Sequence, residues 1–94
     1  MGILVDRPLW WFRGERWAHL VSDESFAELH RFASSIGIPR RAFQGDHYDI
    51  PESRLDDVIA AGARPVDPRE IVRALREGGM RRSRHEGLSA FEFE

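Results

Sequence analysis

The sequence predicts an α/β domain: a small, substantially parallel sheet of three to four strands with about three helices packed on it. Three observations predict it. Short β-branched or aromatic runs alternate with stretches whose apolar residues recur every three to four positions. Capping residues, prolines and glycines mark the borders between the two kinds of segment. Three of the strand-like runs also end in or near an aspartate, Asp6, Asp49 and Asp67, and open α/β sheets bind ligands beyond the carboxyl ends of their strands.

Ile3-Leu4-Val5 is short and apolar and meets Asp6-Arg7-Pro8, so it reads as a buried strand entering a loop. Leu9-Trp10-Trp11-Phe12-Arg13-Gly14-Glu15-Arg16 has no clean period and reads as an aromatic-rich connection. Trp17-Ala18-His19-Leu20-Val21 reads as a second strand, because Ser22-Asp23 after it resembles a helix start. Phe26, Leu29, Ala33 and Ile36 then share a helical face, and Gly37 stops it. Two caps compete at its start: Asp23, and Ser25 with Glu28 as a capping box.

Residues 38–43 read as a turn of helix and a loop, and Asp46-His47-Tyr48-Asp49-Ile50 as a strand. Pro51 suits the first position of a helix whose Leu55, Val58 and Ile59 share a face until Gly62. Arg64-Pro65-Val66 is a minimal strand. Asp67-Pro68-Arg69-Glu70 combines an N-cap, a proline at the first position and a glutamate at the third, a strong helix start. Ile71, Ala74 and Leu75 give that helix its buried stripe, and Gly78-Gly79 end it. Residues 1–78 thus form one α/β domain, and 79–94 are expected to be a flexible tail, whose closing Phe91-Glu92-Phe93-Glu94 could instead pair with a sheet edge.

Composition narrows the chemistry. With no cysteine, disulfides, thiolate catalysis and cysteine-bound zinc are excluded. All 14 basic residues are arginine, which removes a Schiff-base lysine and the lysine of a Walker loop. A net charge of −2 argues against a globally basic nucleic-acid binder. No apolar run approaches the roughly 20 residues of a membrane span, and the N-terminus reaches Asp6 too soon for a signal peptide, so the expected location is cytoplasmic, with no membrane partner.

Several blocks carry a family likeness. Ile3-Leu4-Val5-Asp6, His19-Leu20-Val21-Ser22-Asp23 and Glu28-Leu29-His30-Arg31-Phe32-Ala33 resemble the domain-of-unknown-function 4031 family. So do Phe43-Gln44-Gly45-Asp46-His47-Tyr48-Asp49-Ile50 and Gly62-Ala63 leading to Arg69-Glu70. The resemblance spans about residues 1–78 and implies a small, stand-alone bacterial or phage domain. It carries over no activity and no catalytic residues.

The residues that could carry chemistry are Asp6, His19, Asp23, His30, Asp46, His47 and Asp49. Imidazoles with carboxylates suit a divalent metal such as zinc, manganese or iron, or a His/Asp acid–base pair. In a strand, His47 and Asp49 share one face, with Tyr48 and Ile50 on the other. His47, Asp49 and Asp6 are therefore the candidate catalytic groups. His19, His47 and Asp49 are the candidate metal ligands, with His30 and Asp23 behind them. The reversed dyad Asp46-His47 is expected to split across the two faces.

Arg7, Trp10, Arg40, Arg41 and Tyr48 are candidate substrate-binding residues, since arginine among aromatics stacks bases and holds phosphates. Structural roles compete with each of these: Asp23 as a cap, His30 as a packing histidine at the edge of its stripe, the tryptophans as core and the arginines as solvated cover. Two functions follow. One is a small metal- or His/Asp-dependent hydrolase of a phosphorylated or nucleotide substrate. The other is a module that binds nucleic acid, nucleotide or protein through a Trp/Arg surface.

Overall fold

The structure is a computed structural model, and it describes residues 2–77 of the chain. Its organising element is a long β-hairpin. β2 (Trp10–Phe12) and β3 (Glu15–Ser22) pair antiparallel around Arg13-Gly14. Both turn residues have positive φ, 54° and 83°, as a two-residue hairpin turn of the primed kind requires. The aromatic run expected to be a connection is therefore a strand. Its signal was masked because arginine, not asparagine or aspartate, precedes the turn glycine.

β3 is long enough to serve three neighbours. On one side it meets β2 and then β1 (Ile3–Val5), both antiparallel. On the other it meets β4 (Tyr48–Pro51), again antiparallel. Only β5 (Arg64–Pro65), beside β1, runs parallel. Among the described residues the sheet thus has five strands and is mixed, rather than substantially parallel with three or four. The hairpin explains the difference, because consecutive strands joined by two residues must reverse direction.

Among the described residues, three helices cover the sheet. α1 (Phe26–Ser35) and α2 (Leu55–Ala60) pack on one face, where Val5, Leu20, Ile50, Leu29, Ala33 and Val58 form the main core. α3 (Pro68–Glu77) packs on the other, where Ile71 and Leu75 meet Leu4 and Val21. Alternation along the strands divides the residues this way: Ile3 and Val5 point to one layer and Leu4 to the other, so β1 is buried throughout. Each fully buried Leu, Ile or Val contributes about 2 kcal/mol of transfer free energy.

Caps decide the borders. The N-cap of α1 is Ser25, whose Oγ accepts from the Glu28 N–H at 3.0 Å. Asp23 instead accepts from the Gly2 N–H at 2.8 Å and ties down the start of β1. The box is not closed reciprocally, because the Glu28 carboxylate accepts from the buried Ser22 hydroxyl. Gly37, at φ 77°, ends α1 as expected. Asp67 caps α3, accepting from the Arg69 N–H at 2.9 Å. Pro51 closes β4 rather than opening a helix; a 3₁₀ turn over Glu52–Arg54 intervenes before α2 begins at Leu55. The expectations for the tail, residues 79–94, lie outside the described residues.

Candidate functional site

The site originates in a defect of the hairpin ladder. Between the pairs Val5↔Leu20 and Trp10↔Trp17, residues 6–9 face residues 18–19, so one arm carries two extra residues. The ladder is kept on either side of the bulge by Asp6 N–H to His19 O at 3.2 Å and Leu9 N–H to Trp17 O at 2.8 Å. The His19 N–H then lacks a backbone acceptor, and the Asp6 side chain supplies one: Oδ1 lies 2.6 Å from it. Oδ2 of the same carboxylate lies 2.8 Å from His19 Nδ1.

Asp6 is only 3% exposed, so this pair is held in a largely dry setting. With Nδ1 bonded to a carboxylate, its proton is fixed there and Nε2 is left as the basic nitrogen. Nε2 has no hydrogen-bond partner among the described residues. The hydrogen bond to Asp6 raises the His19 pKa above its ordinary value; burial opposes the shift, and the charges of Asp6, Asp49 and Asp46 add to it.

β4 brings in the second imidazole. His19 is registered opposite Asp49, so both side chains stand on the α3 face. His47, just before β4, turns to the same face, and its ring centroid lies 4.9 Å from that of His19. Its Nδ1 is 2.7 Å from Asp46 Oδ1. Its Nε2 is 3.1 Å from Asp49 Oδ1, close enough to ion-pair but out of line for a hydrogen bond, and that oxygen is buried without one. Trp10 closes the opposite flank, 4.6 Å from the His19 ring.

The two imidazoles and Asp6 form one wall of a pocket of about 140 Å³, and Ile71, Val72 and Leu75 of α3 form the other. Sequence reasoning read Ile71 and Leu75 only as core, because an amphipathic stripe looks the same whether or not a pocket lies at its edge.

Of the seven clustered His and Asp residues, Asp6, His19, Asp46, His47 and Asp49 come together, and Asp23 and His30 do not. Asp23 anchors Gly2. His30 lies on the opposite face, bonded through Nδ1 to the Tyr48 hydroxyl at 2.7 Å. Arg40 and Tyr48 line a cleft with His30 there, away from His47 and Asp49. Arg41 is exposed in the neighbouring turn. Arg7 is exposed and lies 3.9 Å from Asp67. The expected split of Asp46 and His47 does not occur, because both precede β4, where strand alternation does not apply. Among the described residues, no group of three His, Asp or Glu side chains is placed to hold a metal ion.

The molecule is thus a small three-layer α/β domain with paired, acid-flanked imidazoles beside one face of its sheet. A family model for a protein of unknown function, DUF4031, matches residues 3–78, and the chain belongs to that family. No curated protein and no solved structure matches the chain. No helix among the described residues is long and apolar enough to cross a membrane.

Proposed function

We propose that this domain is a His/Asp-dependent hydrolase working by general acid–base chemistry. The observation that carries the reading is the Asp6–His19 pair, in which a buried carboxylate fixes both the backbone and the ring of a histidine whose Nε2 has no partner among the described residues, beside a pocket. His19 Nε2 takes a proton from water as the water oxygen attacks the scissile carbonyl. Asp6 stabilises the resulting imidazolium. The same Nε2 then returns that proton to the departing oxygen or nitrogen as the tetrahedral intermediate collapses.

Electrostatics narrow the substrate. Asp6, Asp46 and Asp49 surround the pair, while Arg40 lies on the opposite face and Arg7 beside Asp67. A scissile ester or amide without its own negative charge suits this pocket better than a phosphoryl group. At about 140 Å³ the pocket holds the reacting group, leaving the rest of the molecule to lie along Trp10 and Val72.

The test is hydrolysis of p-nitrophenyl acetate against p-nitrophenyl phosphate, with free imidazole as the reference. The acetate should be turned over faster than by imidazole, and His19→Ala should lower that rate at least 100-fold with the NMR spectrum of the fold retained. A rate no better than imidazole, or one unchanged in His19→Ala, would sink the reading.

One observation favours a second role for the hairpin tip. Trp11 and Phe12 are 66% and 52% exposed, with the guanidinium of Arg16 5.9 Å from the Trp11 ring and that of Arg13 5.3 Å from Phe12. Such a surface suits stacking of nucleobases. Binding of a single-stranded oligonucleotide that weakens with salt and is lost in Trp11→Ala would support it; Trp11→Ala binding like the wild type would end it.

A further inference from the structure

The larger recess of this face pair lies on the other side of the sheet. It is a cleft of about 360 Å³ between the end of α1 and β4, in the size range of small-molecule sites. Its polar groups are His30, Ser34, Arg40 and Tyr48, and no carboxylate among the described residues lines it. We propose that this cleft binds a small phosphorylated molecule, with its phosphate held by Arg40, His30 and Ser34.

The donor geometry supports this. Tyr48 is 1% exposed, and its phenol has one hydrogen-bond partner among the described residues, His30 Nδ1 at 2.7 Å. A buried phenol donates its proton where it can, so the phenol proton goes to Nδ1 and the ring N–H falls on Nε2. Nε2 has no partner among the described residues, and neither does the Arg40 guanidinium. The Ser34 hydroxyl adds a donor. Three or more donors from separate positions match the several acceptor oxygens of a phosphate better than the two of a carboxylate.

The surroundings permit an anion. The carbonyl end of a helix repels negative charge, and the cleft adjoins the last turn of α1. Three of the carbonyls there are already engaged: Ile36 O accepts from Arg54 Nη2 at 2.7 Å, Ala33 O from the Ile38 N–H at 2.9 Å, and Ser34 O from the Gly37 N–H at 3.1 Å. The His30 pKa is lowered by burial and by the charge of Arg40, consistent with both groups facing one space. This cleft and the acid-flanked pocket are therefore opposite in charge as well as in position.

Inorganic phosphate and acetate, each added to the full chain at constant ionic strength, provide the test by NMR. Phosphate should saturate, with amide shifts centred on Ser34, Gly37, Arg40 and Tyr48. Arg40→Ala should weaken it at least tenfold, and His30→Gln should weaken it without unfolding the chain. His19→Ala should leave phosphate binding unchanged, and Arg40→Ala should leave any ester hydrolysis unchanged, so either site can fail without the other. Non-saturating shifts at all exposed arginines would overturn the proposal. So would an Arg40→Ala affinity equal to the wild type, or acetate binding as tightly as phosphate.

Discussion

His47 and Tyr48 are consecutive in the chain and belong to opposite electrostatic settings. His47 stands with His19 among three carboxylates, beneath α3. Tyr48 lies on the other face with His30 and Arg40, in a cleft that no acid among the described residues lines. Tyr48 opens β4 and faces the main core, whereas His47, just before the strand, turns to the α3 face. The partner then decides each histidine's character: a buried carboxylate raises the His19 pKa, whereas burial beside a guanidinium lowers that of His30. Identical side chains on opposite faces of one sheet can therefore be set for different chemistry by what their own face supplies.

Asp6→Ala should break the acid-flanked side most severely. It removes the acceptor of both the backbone N–H and Nδ1 of His19, at 2.6 and 2.8 Å, and leaves the bulge without its closing bond. A loss of about 3 kcal/mol is expected; the lower end of the range applies because His19 is part-exposed and can shed its charge. Urea unfolding measures it, and a midpoint equal to that of the wild type would mean that the carboxylate does not hold the bulge.

The same cut on the other face should be milder. Tyr48→Phe deletes the hydroxyl that meets His30 Nδ1 and leaves the ring in its buried place. Water in the cleft can replace the lost partner of His30, so the change should lower stability by about 1 kcal/mol. If Tyr48→Phe proves as damaging as Asp6→Ala, the contrast between a closed and an open polar pair is wrong.

Smaller still is the effect of Gly14→Ala at the hairpin tip. A Cβ there meets no atom within 4 Å, so the whole penalty comes from holding alanine at φ 83°. About 1 kcal/mol or less is expected, with both histidine environments unchanged in the NMR spectrum. Disturbance of His19 in that variant would show that the bulge takes its shape from the turn rather than from Asp6.

Legibility in the sequence followed the range of the interactions. The helices α1 and α3 were readable because their signals are local: Ser25 with Glu28, Gly37, and Asp67-Pro68. His47 and Asp49 do share a face, as a period of two suggested, but His47 reaches it from just before β4 rather than from within the strand. The hairpin was not readable, because Trp10-Trp11-Phe12 lacks polar alternation and Arg13 hides the turn. Missing the hairpin meant missing the bulge, and the bulge is what carries Asp6 to His19 across 13 residues. A mixed sheet was likewise out of reach, since strand direction depends on pairings that no single segment encodes. The sequence could nominate the imidazoles and acids; only the fold could sort them between two faces.

The least perturbing comparison uses pH alone. For His19 the folded pKa is raised, so its share of stability is fully present below its unfolded value, about 6.5, and is lost as pH rises through the folded pKa. For His30 the folded pKa is lowered, so its share is present above about 6.5 and is lost as pH falls through the folded value. The two faces thus impose opposite slopes on one stability curve. Subtracting the curve of Asp6→Asn from that of the wild type should leave a difference that shrinks with rising pH. Subtracting that of His30→Gln should leave one that grows. Imidazole proton resonances give the same ordering directly, with the His19 midpoint above that of His30. Were both differences to slope the same way, the carboxylate at Asp6 and the burial of His30 beside Arg40 would not be what sets these histidines apart.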